Sequence, residues 1–193
     1  MSTRVQSYLC KLLVGLGLLL ISGAVHAQHM YLDPDSVFIT TGAGTEFDLD
    51  LRVDANTQGI RLFQVLFAFD TAKLDTVSVT LGPLFAGTPY TKIFNKYIYF
   101  DDELQTTVLR LEGLLFGATA VVNGPGVLAD IRLVTVGAGT VNLAVLRHVM
   151  TDINNDPINS TASGATVLIN APPSSFNLID PTEGEEVTMF QDS

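Results

Sequence analysis

Acidic side chains are the residues of this sequence with the clearest capacity for acid–base chemistry, but their spacing argues against catalysis. Asp101, Asp102 and Glu103 are consecutive. Neighbouring residues of a strand or turn point apart, whereas a general acid–base pair needs facing groups from distant positions. Residues 37–170 contain one histidine, His148, and no serine in a G-x-S-x-G turn. We therefore predict that the chain is not an enzyme and has no catalytic residues.

A second group of oxygen-bearing side chains has the alternate spacing found at the start of a calcium loop. These residues are Asp152, Asn154 and Asp156. Counted from Asp152, the sixth position is Pro157 where such a loop has glycine, and the twelfth is Ser163 where it has glutamate. Asn and Asp before Pro are ordinary turn residues. A turn is the preferred interpretation, and no metal site or cofactor is predicted.

The densest aromatic stretch is formed by Tyr90, Phe94, Tyr97, Tyr99 and Phe100. Exposed tyrosines can contact a sugar ring with their faces and hydrogen-bond with their hydroxyls. However, the chain has no tryptophan, and aromatic residues are also enriched in strands for packing reasons alone. Carbohydrate binding through Tyr90, Tyr97 and Tyr99 is therefore an alternative function.

Short apolar or alternating segments, separated by Gly, Pro, Asn and Asp, make up residues 37–170. This pattern is typical of β-strands joined by turns. Regular strands without intervening helices predict an all-β sandwich or barrel. The nine predicted strands are residues 36–40, 46–54, 60–70, 74–81, 92–101, 106–116, 126–136, 140–151 and 164–170.

The third predicted strand is apolar on both sides. With the two-residue period of a strand, the odd-numbered residues from Phe63 to Phe69 form one side, which is typical of a core. An antiparallel sheet usually turns its other side to water. Here that other side carries no charge, so a covering partner is expected. Its residues are Leu62, Gln64, Leu66 and Ala68.

The first 27 residues have the features of a secretory signal peptide. Arg4 and Lys11 precede an apolar run at 12–24, and small residues occupy positions 25 and 27. The apolar run is too short for a membrane-spanning helix. Cys10, the only cysteine, lies inside this segment. The mature chain is therefore predicted to be secreted, without a membrane span and without disulfides or thiol chemistry.

Composition limits the partners and divides the rest of the chain. The formal net charge is −10 and no cluster of Lys and Arg occurs, which argues against nucleic acid because its binding requires basic side chains. Residues 171–175 are a Pro/Ser linker. Residues 176–193 are a tail that is either disordered or the truncated start of a second sandwich module.

The order of motifs in residues 28–170 resembles a cohesin domain. In the first half, TEFDLDLRVD (45–54) is followed by FAFDTAKL (67–74), and in the second half GVLADIRL (126–133) is followed by TDINNDPI (151–158). The resemblance implies a nine-stranded jelly-roll β-sandwich, related in fold to bacterial carbohydrate-binding modules.

Cohesins bind dockerins, which are small calcium-loaded domains of secreted polysaccharide-degrading enzymes, through a flat sheet that includes the third and sixth strands. The resemblance implies a non-catalytic, extracellular or cell-surface scaffolding module whose partner carries the calcium. Many cellulosomal cohesins have short polar residues at the positions of Leu62 and Leu66, so the partner is predicted to be dockerin-type or another protein. The implied partner-binding residues are Leu62, Gln64, Leu66, Ala68, Arg110, Glu112 and Leu114, with Asn142, Ala144 and Leu146 as further members. Because Leu66 is expected to be open, Leu66→Asp is expected to leave folding nearly unchanged.

Overall fold

Twelve β-strands and one short helix form the part of the chain that the computed structural model describes, residues 27–171. The predicted signal peptide, most of the linker and the tail lie outside these residues. The strands are β1 Gln28–Asp33, β2 Ser36–Ile39, β3 Glu46–Val53, β4 Leu62–Ala68, β5 Leu74–Leu81, β6 Thr91–Asp101, β7 Thr106–Phe116, β8 Gly126–Thr135, β9 Gly139–Leu143, β10 Val145–Thr151, β11 Ser160–Ser163 and β12 Ala165–Ile169, and the helix is α1 Pro83–Ala86.

The strands form three hydrogen-bonded sheets. One sheet has the order β11-β1-β3-β8-β5, the second β10-β4-β7-β6, and the third β2-β12-β9. Neighbouring strands are antiparallel except for the pairs β1–β11 and β2–β12, which are parallel. The all-β sandwich predicted from the sequence is confirmed.

The inner sides of the sheets share one core, and the alternation of the sequence explains why. In β3 the residues Leu49, Leu51 and Val53 are at most 1% exposed, whereas the charged residues between them point outward. Full burial of one such side chain stabilises the fold by about 1.5–3 kcal/mol. Residues 27–171 contain no cysteine and therefore no disulfide, so this core must stabilise the fold.

The predicted number of nine strands is wrong, for three local reasons. The predicted strand 140–151 divides at Ala144, so that β9 joins the three-stranded sheet and β10 joins the four-stranded sheet. The strand β1 was not predicted because it directly follows the signal segment and only two of its six residues, Met30 and Leu32, are buried apolar residues. The strand β11 has the sequence STAS, which contains no alternation of large apolar residues and pairs with β1 at a sheet edge.

A glycine in β7 lets a large ring pack beneath the four-stranded sheet. Gly113 is directly opposite Phe63 of β4, and a Cβ atom at Gly113 would overlap the Phe63 ring. Phe63 is fully buried and meets Phe85 of α1 edge to face, with ring centroids 5.1 Å apart. The segment around α1 thus fills the inside of the sandwich. No helix within residues 27–171 has the length and apolar character needed to cross a membrane.

Candidate partner-binding face

The outward side of the four-stranded sheet brings the predicted partner-binding residues together. Strand β4 lies between β10 and β7, and β6 forms the edge beyond β7. Pairing across β4, β7 and β6 produces four rows of side chains. These twelve residues are called the outer face: Leu62, Leu114 and Ile93; Gln64, Glu112 and Asn95; Leu66, Arg110 and Tyr97; and Ala68, Val108 and Tyr99. All seven residues named from the resemblance are among them.

A hydrogen-bonded polar cluster centred on Glu112 occupies the middle of the outer face. Arg110 Nη2 donates to Glu112 Oε2 at 2.6 Å, and Gln64 Nε2 donates to the same oxygen at 3.3 Å. Asn95 Nδ2 donates to Glu112 Oε1 at 3.1 Å. Three strands therefore contribute donors to one carboxylate, which fixes the positions of all four side chains.

The protonation of Glu112 follows from this environment. Burial raises the pKa of the carboxyl, but the hydrogen bonds from Asn95, Arg110 and Gln64 outweigh burial and hold the pKa below its ordinary value of 4.5. Hydrogen bonds that stabilise the charged form of an acid lower its pKa. Glu112 is therefore an acceptor with a fixed negative charge at neutral pH.

Arg110 connects the polar cluster to the aromatic edge. Its guanidinium carbon lies 5.8 Å from the centre of the Tyr97 ring, which is within the range of a cation–π contact. Burial lowers the pKa of Arg110, but the bond and charge of Glu112 hold that pKa above its ordinary value. Within residues 27–171 the buried Nε atom of Arg110 has no hydrogen-bond partner.

Apolar side chains surround the polar cluster. Ile93 on β6 is 46% exposed, and Val149, which pairs with Gln64 from the β10 side, is 42% exposed. Leu62 and Leu114 are half-buried. Together with the polar cluster, Leu62, Leu114 and Ile93 line a depression of about 340 Å³.

The expectation that Leu66 is open to solvent is wrong. Leu66 is 5% exposed, and its neighbour Val108 is fully buried, although neither belongs to the inner core. Leu66 pairs with Arg110 on one side and Arg147 on the other. Ion pairs with Glu112 and Glu103, at 2.6 and 2.8 Å, hold these two arginines in place. Since the aliphatic stems of arginines cover adjacent apolar surface, we infer that they cover Leu66. Leu62 is less covered and remains at the surface.

Several residues of this surface were not identified from the sequence. The residues that were not predicted lie on the two flanking strands. They are Ile93 and Asn95 on β6 and Arg147 and Val149 on β10. The register of the β6–β7 hairpin, in which Asp101 pairs with Thr106, would have placed Ile93 and Asn95 opposite Leu114 and Glu112. Nothing in the local sequence indicates which strand lies on the other side of β4.

The three further residues predicted from the eighth strand do not extend the outer face as expected. Asn142 belongs to β9 and therefore to the three-stranded sheet. Ala144 lies between β9 and β10, and its carbonyl accepts a hydrogen bond from the backbone N–H of Ala68. Leu146 falls in the register shift between Val145 and Arg147. The cause is the change of sheet at Ala144.

The three tyrosines of the carbohydrate alternative do not form one strip. Tyr97 and Tyr99 lie on the outer face and are 46% and 37% exposed. Tyr90 is half-buried and packs against the hydrophobic core, where a Cβ atom at Gly117 would be 3.5 Å from its ring. The strand β6 begins after Tyr90, whereas the other two tyrosines lie in its segment 96–100, where every residue is exposed.

The remaining polar motifs stabilise turns. Asp152 Oδ1 accepts hydrogen bonds from the backbone N–H groups of Asn154 and Asp156, at 2.8 and 2.9 Å. Asp101 Oδ1 does the same for Glu103 and Leu104 in the β6–β7 turn, at 3.0 Å each. Over the described range, 27–171, no group of three or more His, Cys, Asp or Glu side chains could hold a metal ion.

His148 joins two sheets. Its Nε2 atom lies 3.1 Å from the backbone carbonyl oxygen of Ser160, at the start of β11. This contact connects β10 of the four-stranded sheet to β11 of the five-stranded sheet. His148 therefore has a partner that explains its position without a catalytic role.

Comparison with known proteins identifies the fold. No protein-family model and no curated protein sequence matches the chain. Among solved structures, a non-cellulosomal cohesin from the hyperthermophilic archaeon Archaeoglobus fulgidus is similar, with a TM-score of 0.53 and 8% identity over 73% of this chain and 88% of that chain. A type II cohesin domain from the cellulosome of Acetivibrio cellulolyticus has a TM-score of 0.54 and 15% identity, over 73% and 94% of the two chains.

A third similar structure is a type I cohesin–dockerin complex from Clostridium thermocellum, with a TM-score of 0.52 and 14% identity, over 74% of this chain and 94% of that chain. Each of these structures is matched over most of its own length, so the similarity extends across a whole module and is not confined to one sheet. The described part of the chain therefore has the fold of a cohesin module.

Proposed function

We propose that the chain is a non-catalytic cohesin-like module that binds a protein partner, dockerin-type or another protein, through the outer face. The observation that carries the proposal is the combination of the Glu112-centred cluster with the exposed margin of Ile93, Tyr97 and Val149. Specific protein interfaces combine apolar contact with a small number of positioned hydrogen-bonding groups. The outer face offers both on a surface held by four paired strands.

The outward side of the five-stranded sheet has a different character. Asp48, Asp50 and Asp130 lie together there. Burial raises the pKa of Asp130, and the charges of Asp50 and Asp48 raise it further. Arg52 pairs with Asp50 at 3.1 Å and Arg132 with Asp48 at 3.7 Å, whereas Asp130 forms no ion pair with any described residue. A partly buried carboxylate without a counter-charge favours contact with water over contact with a protein. The outer face is therefore the better of the two sheet surfaces for docking.

The biological setting that we propose follows from the fold and the predicted leader. Residues 1–27 would direct secretion, and the module would act outside the cell or at its surface. There it would scaffold polysaccharide-degrading enzymes that carry a dockerin-type module. In this proposal any calcium belongs to the partner. The cohesin–dockerin complex from Clostridium thermocellum supports the idea that this fold can bind a dockerin.

A matched pair of substitutions tests the docking surface. Ile93 and Val77 are both 46% exposed, but Val77 lies on β5 of the five-stranded sheet. Ile93→Asp is expected to weaken binding of a calcium-loaded dockerin at least about tenfold, because a charge would enter the interface. Val77→Asp is expected to leave the affinity unchanged. Isothermal titration against dockerin modules encoded in the same genome measures both effects.

The proposal would be contradicted if both variants bound the dockerin as tightly as the unmodified chain does. It would also be contradicted if no dockerin or other secreted protein bound the unmodified chain. Because both positions are exposed, neither substitution should unfold the protein, and circular dichroism checks this. Equal loss of affinity in both variants would also count against the outer face.

Carbohydrate binding on the outer face is the second candidate, and the exposure of Tyr97 and Tyr99 favours it. In this alternative Tyr99 would be the main sugar contact, since Arg110 already lies over the ring of Tyr97. Tyr99→Ala would then abolish retardation of the protein in polysaccharide-containing gels. A chain whose migration is the same in gels with and without polysaccharide would exclude this candidate.

A further inference from the structure

A second depression lies at one end of the sandwich, next to the outer face. Its volume is about 480 Å³, and it is lined by the end of β4, the following turn, the β6–β7 hairpin and β9. Two nearly buried apolar side chains, Phe69 and Val141, form its floor, and each is 2% exposed. Segments far apart in the sequence thus form one concave surface, which is the usual form of a small-ligand site.

Phe100 forms an exposed aromatic wall of this depression. It is 55% exposed at the end of β6, where it pairs with Thr107. Phe100 points to the opposite side of β6 from Tyr99, because successive residues of a strand alternate. The aromatic surface of this site is therefore separate from that of the outer face. A large aromatic ring exposed beside a depression is available for contact with an apolar ligand surface.

The other side chains around the depression carry neutral hydrogen-bonding groups. Thr71, Thr107, Thr140 and Asn142 line it. Thr71, Thr140 and Asn142 are exposed and Thr107 is half-buried. Their hydroxyl and amide groups make no side-chain hydrogen bond to any described residue, so their donors and acceptors are available to a ligand. The set includes one amide, which both donates and accepts, and three hydroxyls.

The site contains no free charge that would select an ion. Asp70, the ionisable residue in its lining, is bonded to Lys73 Nζ at 2.8 Å. The hydrogen bond from Lys73 lowers the pKa of Asp70, although burial opposes this. The lining residues include no Lys or Arg that could bind an anionic ligand. Their one carboxylate, Asp70, is already paired with Lys73 and is therefore a weak site for a cation.

We propose that this depression is a binding site for a neutral oligosaccharide. A pyranose ring has an apolar face of C–H groups, which would stack on Phe100, and a rim of hydroxyls, which would bond to Thr107, Thr140 and Asn142. One exposed ring beside several unused hydroxyl and amide groups matches that amphipathic chemistry. The site shares only Ala68 with the outer face, so the module could contact polysaccharide and protein at once.

Titration of the full, ¹⁵N-labelled chain with cellohexaose, xylohexaose and mannohexaose tests the site. At least one of these sugars is expected to shift the amide signals of Phe100, Thr107 and Asn142. Phe100→Ala should weaken that binding about tenfold or more, as loss of a central aromatic contact does. Asn142→Ala should weaken it about fivefold, the equivalent of one hydrogen bond.

Two controls make the result specific. Phe38→Ala removes a phenylalanine of similar exposure, 60%, from the three-stranded sheet and should leave sugar binding unchanged. Ile93→Asp should also leave it unchanged, which separates this site from the docking proposal. The proposal is overturned if none of the three sugars shifts these signals, if shifts appear only around Tyr97 and Tyr99, or if a protein partner, and no sugar, occupies the depression.

Discussion

Glu112 is the residue on which the order of the outer face depends. Its carboxylate accepts hydrogen bonds from three side chains on three strands. Burying a charge without partners is costly, whereas a carboxylate with several donors is stabilised in its ionised form. Replacement of Glu112 therefore affects the whole cluster and also leaves Arg110 half-buried without its counter-charge.

The cluster should make stability depend on pH in the acid range. The folded pKa of Glu112 lies below its ordinary value of 4.5, so its stabilising contribution is complete above about pH 4.5 and is lost as the pH falls through the folded pKa. Glu112→Gln should cost about 2 kcal/mol at neutral pH, as for a charge-assisted bond. The difference from the unmodified protein should shrink below pH 4.5. Urea unfolding of both proteins at a series of pH values measures this difference in unfolding free energy. A difference that does not change with pH would contradict a lowered pKa for Glu112.

Leu66 should behave as a buried residue even though it faces away from the core. At 5% exposure, a carboxylate at this position would lose most of its hydration. We expect Leu66→Asp to lower the free energy of unfolding by about 3 kcal/mol or more. Ile93→Asp, on the same face but exposed, should lower it by less than about 0.5 kcal/mol. Similar unfolding midpoints in urea for both variants would show that Leu66 is not covered in solution.

The strand β7 is closely fitted to β4 through Gly113. A methyl group there would meet the ring of Phe63, and overpacking a core costs about 1–3 kcal/mol. Gly113→Ala should therefore destabilise the protein by about 2 kcal/mol. In the background of Phe63→Leu the same change should cost much less, since the ring has been removed. A double-mutant cycle by urea unfolding tests this, and purely additive effects would contradict it.

Strand positions could be predicted from sequence wherever large apolar residues alternate. The predicted segment 106–116 coincides with β7, and 46–54 differs from β3 by a single residue. The phases of β4 and β7 also placed Gln64 and Glu112 on one side of their sheet. The strand β11 could not be recognised, because its small polar residues show no periodic burial.

The covering of Leu66 and the change of sheet at Ala144 depend on the assembly of distant strands. Arg147 reaches Leu66 only because β10 pairs with β4, a relation that no local pattern in either segment specifies. Likewise, the alternation that begins at Val141 breaks at Val145 and Leu146, but only the strand partners, β12 for β9 and β4 for β10, assign the two halves to different sheets. Local sequence determines phase, whereas tertiary pairing determines exposure.

At the scale of the whole molecule, the first strand is essential to the sandwich. β1 lies between β11 and β3, and its Met30 and Leu32 are at most 2% exposed. A chain of residues 28–171 is expected to unfold at the same urea concentration as the full chain. A chain of residues 36–171 should lose about 4 kcal/mol or more, because two buried side chains and a central strand are removed.

Comparison of these two truncated chains by urea unfolding also tests the predicted domain boundary. A lower midpoint for residues 28–171 than for the full chain would mean that the boundary at residue 27 or the one at residue 170 is wrong. Equal stability of the 36–171 chain would mean that β1 is dispensable, contrary to its position between two other strands.

The position of β6 at the sheet edge bears on how partner preference could evolve. Strand β4 is paired on both edges, by β10 and β7, and its residues Phe63, Val65, Leu66 and Phe67 are at most 5% exposed, so most substitutions there would impair folding. Ile93, Tyr97 and Tyr99 on β6 instead project from a strand paired on one side only. Descendants of this module that acquire new partners should therefore differ first along β6, while β4 stays nearly constant.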